Sequence, residues 1–290
     1  MIFGASGASV SEPLDLLHGG RERAIGCYLV DTRDGPALFD CGPATCVTTL
    51  KRRLRENGLA LPDVRHLLLS HIHLDHAGAA GVLVREHPAL RVHVSAVGAP
   101  HLVDPSRLEA SARRLYGEAF DTLWGELAPV PEANVEAAAD EVVGLACFPS
   151  PGHASHHVCY LAGDGTLLAG DAAGVRIQPS EHVLPPCPPP DVDLEAWHAT
   201  IDELERREPA RLALIHFGHA GDVNRHLADL RRRLDEWAAI VAGGASEEEF
   251  VAKVTAEVEA LAPAEAEIVA AAMPLEQSYA GLKRYWHKRA

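Results

Sequence analysis

Four side chains of the types that bind metal ions lie within six residues of the sequence: His71, His73, Asp75 and His76. An apolar run over residues 64–70 comes directly before them and predicts a buried strand, while the small residues of 77–86 predict a helix directly after them. Residues two apart on an extended chain share a face, so His71 and His73 can bind one ion together. Because the chain then turns into the helix, Asp75 and His76 are expected to point toward a second metal position. The segment therefore predicts metal ligands at the C-terminal end of a strand.

The remaining apolar runs alternate between strand and helix patterns. Strands are predicted at 25–30, 37–40, 92–95, 141–148, 158–161, 167–169 and 212–215. Helices are predicted at 47–58, 194–206, 222–242 and 246–289, the last with a break at Pro274, and a helical insertion at 106–127. The proline-rich stretch 185–190 is expected to be a rigid surface segment. This alternation favours an α/β layered fold.

Three further residues of ligand type each follow a predicted strand: His153, Asp171 and His216. In α/β sheets that edge is where ligands bind. The two carboxylate oxygens of Asp171 suit a bridge between two cations. His153 would complete a three-histidine set with His71 and His73 and leave a position open for water, as catalytic zinc requires. His216 would join Asp75 and His76 at the second ion.

The H-x-H-x-D-H run, followed in order by His153, Asp171 and His216, resembles the metallo-β-lactamase superfamily over roughly residues 25–219. The resemblance implies an α/β fold of the αββα sandwich type, two divalent metal ions (zinc, with iron or manganese as alternatives) and hydrolysis. Asp40, in LFDCG, matches the early aspartate of the family, which implies that it supports the metal loop from behind. The complete motif looks like the glyoxalase II, lactonase and RNase Z branches. The stretches PGHASHH and AGDAAGVR are similar to a bacterial subgroup of hydrolases without an assigned substrate.

We expect a metallo-β-lactamase-like domain over residues 1–242 and a C-terminal helical extension over 243–290 that forms a lid or a homodimer contact. The formal charge of −15 argues against a general nucleic-acid partner, which requires a basic face. No apolar run approaches the roughly 20 residues of a membrane span, and the first ten residues lack a secretory pattern, so a cytoplasmic protein is expected. The six cysteines are expected to be reduced and mostly buried.

The predicted reaction is hydrolysis of an ester, thioester or lactone of a small molecule. In it, a metal-activated water attacks the carbonyl carbon, and Asp75 orients that water. Three alternatives remain open at this point: a phosphodiesterase, a mono-iron sulfur dioxygenase-like oxidoreductase, and a metal-binding protein without catalysis. Metal analysis and a small substrate panel would separate them.

Several other residues allow two interpretations each. His219, in HFGHAGD, is either a catalytic proton donor to the leaving group or a pocket residue. Arg176 binds either an anionic substrate group or a surface acid. His156 and His157 are more typical of surface or strand-start positions than of the cleft. The basic and aromatic residues of 283–289 favour a dimer interface over a substrate contact.

Overall fold

The computed structural model of the protein describes residues 8–289, in which two mixed β-sheets pack against each other. The strands of the first sheet are β1 (Ser9–Val10), β2 (Leu14–Asp15), β3 (Gly26–Thr32), β4 (Gly35–Phe39), β5 (His66–Leu68), β6 (Arg91–Val94) and β7 (Val135–Ala137). The strands of the second sheet are β8 (Glu141–Val142), β9 (Leu145–Pro149), β10 (Val158–Leu161), β11 (Thr166–Leu168), β12 (Arg211–Leu214) and β13 (Gly218–Ala220). The α-helices are α1 (Val47–Glu56), α2 (Leu74–Ala77), α3 (Ala80–Glu86), α4 (Ala99–Val103), α5 (Ser106–Tyr116), α6 (Phe120–Leu123), α7 (Leu194–Arg206), α8 (Val223–Ala242), α9 (Glu247–Leu261), α10 (Ala266–Ala272) and α11 (Leu275–His287).

The first sheet has the order β1-β3-β4-β5-β6-β7, with β2 also paired to β3, and the second has the order β13-β12-β11-β10-β9-β8. The hairpin of β3 and β4 is antiparallel, and β4 to β7 run parallel to one another. In the second sheet only β11 and β12 are parallel. The parallel strands need crossover connections, and these supply the helices on the outer faces.

The inner faces of the two sheets share one apolar core. Phe39 of the first sheet meets the ring of Tyr160 of the second edge to face, with centroids 6.0 Å apart. Tyr28 donates its buried hydroxyl to the Leu214 carbonyl oxygen across the interface at 2.7 Å. Helices α1 and α3 bury apolar residues against the first sheet, and α7 and α8 do so against the second. The α/β sandwich that the resemblance implied is therefore confirmed, and so are the C-terminal helices that the sequence pattern predicted.

The C-terminal helices bury their apolar side chains in the same cluster as α8 and the second sheet. Phe250 of α9 packs against the ring of Trp237 of α8 at 5.3 Å and against Tyr279 of α11 at 5.8 Å. A capping box of Ser246 and Glu249 begins α9. The division at residue 242 into a domain and an extension stays a prediction, and the parts of it that fall on 1–7 and 290 lie outside the described residues.

Most of the predicted strands and helices are present in the structure. The differences are two interrupted helices and several short strands that were not predicted. The predicted helix 246–289 is interrupted not only at Pro274 but also between α9 and α10, and the insertion 106–127 contains two helices. The strands β1, β2, β7 and β13 have two or three residues each, which is too short to give a readable period. Over residues 8–289, all six cysteines are free and buried, and no helix combines the length and apolar character of a membrane crossing.

Candidate metal centre

The predicted ligands lie on loops that follow strands of both sheets. His71 and His73 come after β5, and the extended conformation of His73 (φ −61°, ψ 154°) ends just where α2 begins. Asp75 and His76 therefore occupy the first turn of that helix. His153 follows β9, Asp171 lies in a short 3-10 helix directly after β11, and His216 follows β12. Sheet packing brings these separate loops to one place.

Three ring nitrogens form the first cluster. His71 Nε2 lies 2.9 Å from His73 Nδ1, and His153 Nε2 lies 3.3 Å from the first of these atoms and 3.0 Å from the second. Nitrogen ligands about 2.0–2.1 Å from a tetrahedral zinc ion are separated from one another by about 3.3 Å. The three atoms thus have the spacing of one face of a tetrahedral site.

A second cluster contains Asp75, His76 and His216. His216 Nε2 lies 3.2 Å from Asp75 Oδ2, and His76 Nε2 lies 3.8 Å from the same oxygen. Asp171 lies between the clusters, with Oδ1 3.4 Å from His76 Nε2 and Oδ2 3.4 Å from His153 Nε2. His76 Nε2 and Asp171 Oδ1 are buried without a hydrogen-bond partner among the described residues. Such atoms are expected to bind something else, so the clusters are consistent with a binuclear metal site.

Neighbouring groups fix the orientation of these rings from behind. Asp40 Oδ2 lies 2.8 Å from His76 Nδ1, and Asp40 Oδ1 accepts a 2.8 Å hydrogen bond from the Ser70 backbone amide. His153 Nδ1 donates to the Pro186 carbonyl oxygen at 2.8 Å, and His216 Nδ1 donates to that of Ala24 at 2.6 Å. Using Nδ1 in this way leaves Nε2 directed at the centre, which is how histidine ligands are usually held. Asp40 thus contacts both the ring of His76 and the backbone directly before the H-x-H-x-D-H run.

The electrostatics of the centre favour neutral imidazoles at His71 and His73 and an ionised carboxylate at Asp171. Burial, together with the neighbouring imidazoles, holds the pKa of His71 and of His73 well below the ordinary value. Burial alone would raise the pKa of Asp171, but His76 and His153 outweigh it and hold that pKa well below its usual range. For His76, the three nearby carboxylates outweigh burial and raise the pKa. Neutral imidazoles and ionised carboxylates are the forms that bind metals, so His71, His73 and Asp171 are in the binding form, whereas His76 would release a proton when a metal ion binds.

A cavity of about 370 Å³ opens onto the centre, and His73, Asp75, His153 and Asp171 contribute to its lining. This volume lies in the lower part of the range of roughly 300–1,000 Å³ for small-molecule sites. The other lining residues are mostly apolar, and most of them come from α5, α6, the proline-rich segment and residues 271–278. His18, His101 and His156 also line the cavity. The cavity therefore places a small molecule directly against the clustered ligands.

His156 lines the cavity, although its sequence position favoured the surface or a strand start. It is 8% exposed, and its ring lies parallel to that of His71 with centroids 6.0 Å apart. His157 is buried behind it and pairs its Nδ1 with Ser150 Oγ at 2.7 Å. The signal that could have identified His156 was its position three residues after His153, in the same loop.

Three other candidates lie away from the cavity. His219 Nε2 donates to the Ser11 carbonyl oxygen at 2.9 Å, and its side chain is not part of the cavity lining. Arg176 is buried and donates to Asp222 Oδ1 at 2.7 Å, so it connects the loop after Asp171 to the start of α8. The basic and aromatic residues of 283–289 pack against α7 and α8.

The family model described as the metallo-beta-lactamase superfamily matches residues 20–219 of this sequence, more than half of its length. The chain belongs to the metallo-β-lactamase superfamily.

The individual relatives have low sequence identity to this chain. The metallo-beta-lactamase fold-containing protein ST1585 of Sulfurisphaera tokodaii is 26% identical over 173 residues, which cover 57% of this chain and 63% of that protein. The crystal structure of the metallo-beta-lactamase family protein TTHA1429 from Thermus thermophilus has a TM-score of 0.67 and 21% identity, covering 97% of this chain and 93% of the other. That of TTHA1623 in a di-iron-bound form has a TM-score of 0.54 and 23% identity over 71% of this chain and 91% of the other. At these identities the structural likeness shows the fold alone.

Proposed function

We propose that the protein is a hydrolase that uses two divalent metal ions to cleave an ester, thioester or lactone of a small molecule. The observation that carries the proposal is the placement of His71 Nε2, His73 Nδ1 and His153 Nε2 within 3.3 Å of one another. A second set of ligands lies beside it, and Asp171 lies between the two. Zinc fits these nitrogen and oxygen donors, and so does iron. The di-iron form of TTHA1623 supports iron as an alternative.

In the proposed site, His71, His73 and His153 would hold one ion and Asp75, His76 and His216 would hold the other, with Asp171 between the two sets. Bound metal would supply Lewis acidity at the carbonyl oxygen and would lower the pKa of a bound water to about 7. Asp75 lies at the cavity, so its carboxylate can accept a hydrogen bond from the attacking water and orient it. Asp40 and Ser70 keep the rings of His76 and His71 in position throughout. The substrate occupies the cavity, and its apolar lining excludes competing water.

The experiment is metal analysis of the purified chain combined with assays of a thioester, a lactone and bis-p-nitrophenyl phosphate. We expect two metal ions per chain and turnover of the thioester or lactone. The change His71→Ala should abolish turnover and remove metal. The change His198→Ala is the matched control, because His198 is a surface histidine of α7 paired with Asp235.

Three results would contradict the proposal. Turnover confined to the phosphodiester would favour the phosphodiesterase alternative, and a single iron per chain with oxygen consumption would favour the dioxygenase alternative. Full activity of His71→Ala after removal of metal would exclude the metal mechanism altogether.

A further inference from the structure

We propose that the protein selects substrates that carry an apolar hydrocarbon chain next to the scissile bond. One wall of the cavity, which we name the apolar wall, would bind that chain. The wall consists of Leu108, Leu115, Trp124, Ala272, Met273 and Pro274. The inference rests on the proposed hydrolase function and specifies its substrate class.

The apolar wall comes from two separated parts of the chain. Helix α5 and the residue directly after α6 supply one part, and the last residue of α10 with the corner before α11 supplies the other. The second part lies beyond the family match, which ends at residue 219. This chain therefore contributes its own C-terminal residues to a cavity whose metal ligands belong to the shared fold.

Charged groups are scarce on this side of the cavity. Among the described residues from 107–124 and 271–278 that line it, Arg107 is the single charged one. Ser111, Tyr116, Gln277 and Ser278 are polar residues of the same two segments, but the six side chains of the apolar wall carry no charge. A charged substrate group placed against the wall would therefore lose hydration without gaining an ion pair there, which is unfavourable. A hydrocarbon chain loses no hydrogen bonds and gains the free energy of leaving water.

Leu115 is a large apolar side chain left in water. It is 46% exposed, and only Val97 and Leu261 are comparably exposed among the large hydrophobic residues of the described chain. Of these three, Leu115 alone lines the cavity. An apolar ligand would cover it, so its exposure fits a surface that is completed by the substrate.

Aromatic stacking holds Trp124 in place at the cavity. Its ring stacks on that of His18 with centroids 5.3 Å apart, and the ring of Tyr116 meets it edge to face at 5.0 Å. The Tyr116 hydroxyl donates to Gln277 Oε1 at 3.4 Å, which connects α5 to α11. Because this contact joins the two parts of the wall, the apolar surface is formed before a substrate arrives.

The first test is a chain-length series with the metal-loaded full-length protein. The probes are p-nitrophenyl esters from acetate to octanoate and acetate esters of the corresponding primary alcohols. Burying one methylene group changes a rate or equilibrium constant about fourfold. We therefore expect kcat/KM to rise by about that factor per methylene in at least one series, until the cavity is filled. Values that are flat in both series, with turnover present, would overturn the inference and leave the hydrolase proposal standing.

The second test compares two equivalent substitutions of exposed leucines. Leu115→Gln places an amide on the apolar wall, whereas Leu261→Gln makes the same change on α9, outside the cavity lining. We expect Leu115→Gln to lower the octanoate-to-acetate ratio of kcat/KM about tenfold, in the range of a lost leucine contact. Leu261→Gln should keep the wild-type ratio. An equal ratio in both variants would overturn the assignment of the wall.

A binding measurement separates this inference from catalysis. Trp124 is one of four tryptophans and lines the cavity, so its fluorescence should change on titration with octanoate and should saturate at lower concentration than with hexanoate or acetate. Trp124→Phe should remove most of the signal. If no ester is hydrolysed but this ranking is observed, the hydrolase proposal fails and the apolar site remains. Equal affinity for all three carboxylates would overturn the site itself.

Discussion

Asp40 and His76 are 36 residues apart in sequence, and their side chains meet at 2.8 Å between Oδ2 and Nδ1 with both groups fully buried. Burial raises the pKa of the Asp40 carboxyl, and the contact with His76 opposes that shift. The pair fixes the ring of His76 with Nε2 toward Asp75 and Asp171. A residue that touches no substrate thereby determines the geometry of the proposed metal centre.

The change Asp40→Asn should weaken metal binding without unfolding the protein. Asn has the shape of Asp and tolerates the left-handed backbone conformation of this position, where φ is 53°. The loss of the carboxylate partner of His76 should reduce the affinity for metal about 10- to 100-fold. Competition with a chromophoric chelator measures this change. The exposed hairpin residue Asp34 provides the control Asp34→Asn, and equal affinities in the two variants would contradict the role of Asp40.

The change Gly152→Ala should disturb the loop that carries His153. Gly152 has a φ of 136°, and a Cβ there would lie 2.3 Å from the Cβ of Trp197. We expect a loss of roughly 1–3 kcal/mol in the free energy of unfolding, measured in urea, together with reduced metal content. The control is Gly221→Ala, since a Cβ at Gly221 meets no atom within 4 Å. Similar stability of the two variants would rule out the close contact as the reason for glycine at position 152.

The change Phe250→Ala tests whether the C-terminal helices unfold together with the rest of the chain. Phe250 is fully buried between Trp237 and Tyr279. Truncating such a ring should lower the free energy of unfolding by about 3–5 kcal/mol in a single transition. The exposed Lys253 of the same helix gives the control Lys253→Ala. Two separate transitions, with only the smaller one affected, would instead support an independent extension beyond residue 242.

The change His226→Gln should reduce the acid sensitivity of the fold. Burial, with a contribution from Arg176, lowers the pKa of His226 to about 4, while an unfolded histidine titrates near 6.5. The folded chain therefore binds fewer protons between these values, and stability falls as pH decreases from about 6.5 to 4, by at most about 1.4 kcal/mol per pH unit. Glutamine can still donate to the Ala173 carbonyl oxygen, which His226 Nε2 contacts at 2.7 Å. Urea unfolding at pH 7 and pH 5 should show a smaller loss in the variant, and an unchanged loss would contradict the assignment.

Local sequence patterns predicted many of the residues that meet at the candidate metal centre. His71, His73, Asp75 and His76 are close together because of the strand–turn–helix conformation of one short segment, which periodicity can predict. The placement of His153, Asp171 and His216 after strands could also be predicted, since strand ends of a sheet meet at one edge. The same patterns predicted an α/β layered fold, because alternating strands and helices permit few layered arrangements, whereas the sandwich was implied by the resemblance to the superfamily.

The tertiary structure alone decided which residues share the cavity. His156 and His219 both follow a predicted ligand by three residues, yet His156 lines the cavity and His219 binds the Ser11 backbone. The contact of Tyr116 with Gln277 joins residues 161 apart, which no local pattern indicates. Periodicity shows which face of an element is buried, but it contains no information about which distant element covers that face. The sequence by itself therefore determined the ligand types and the fold class, whereas long-range packing determined the shape and the apolar character of the cavity.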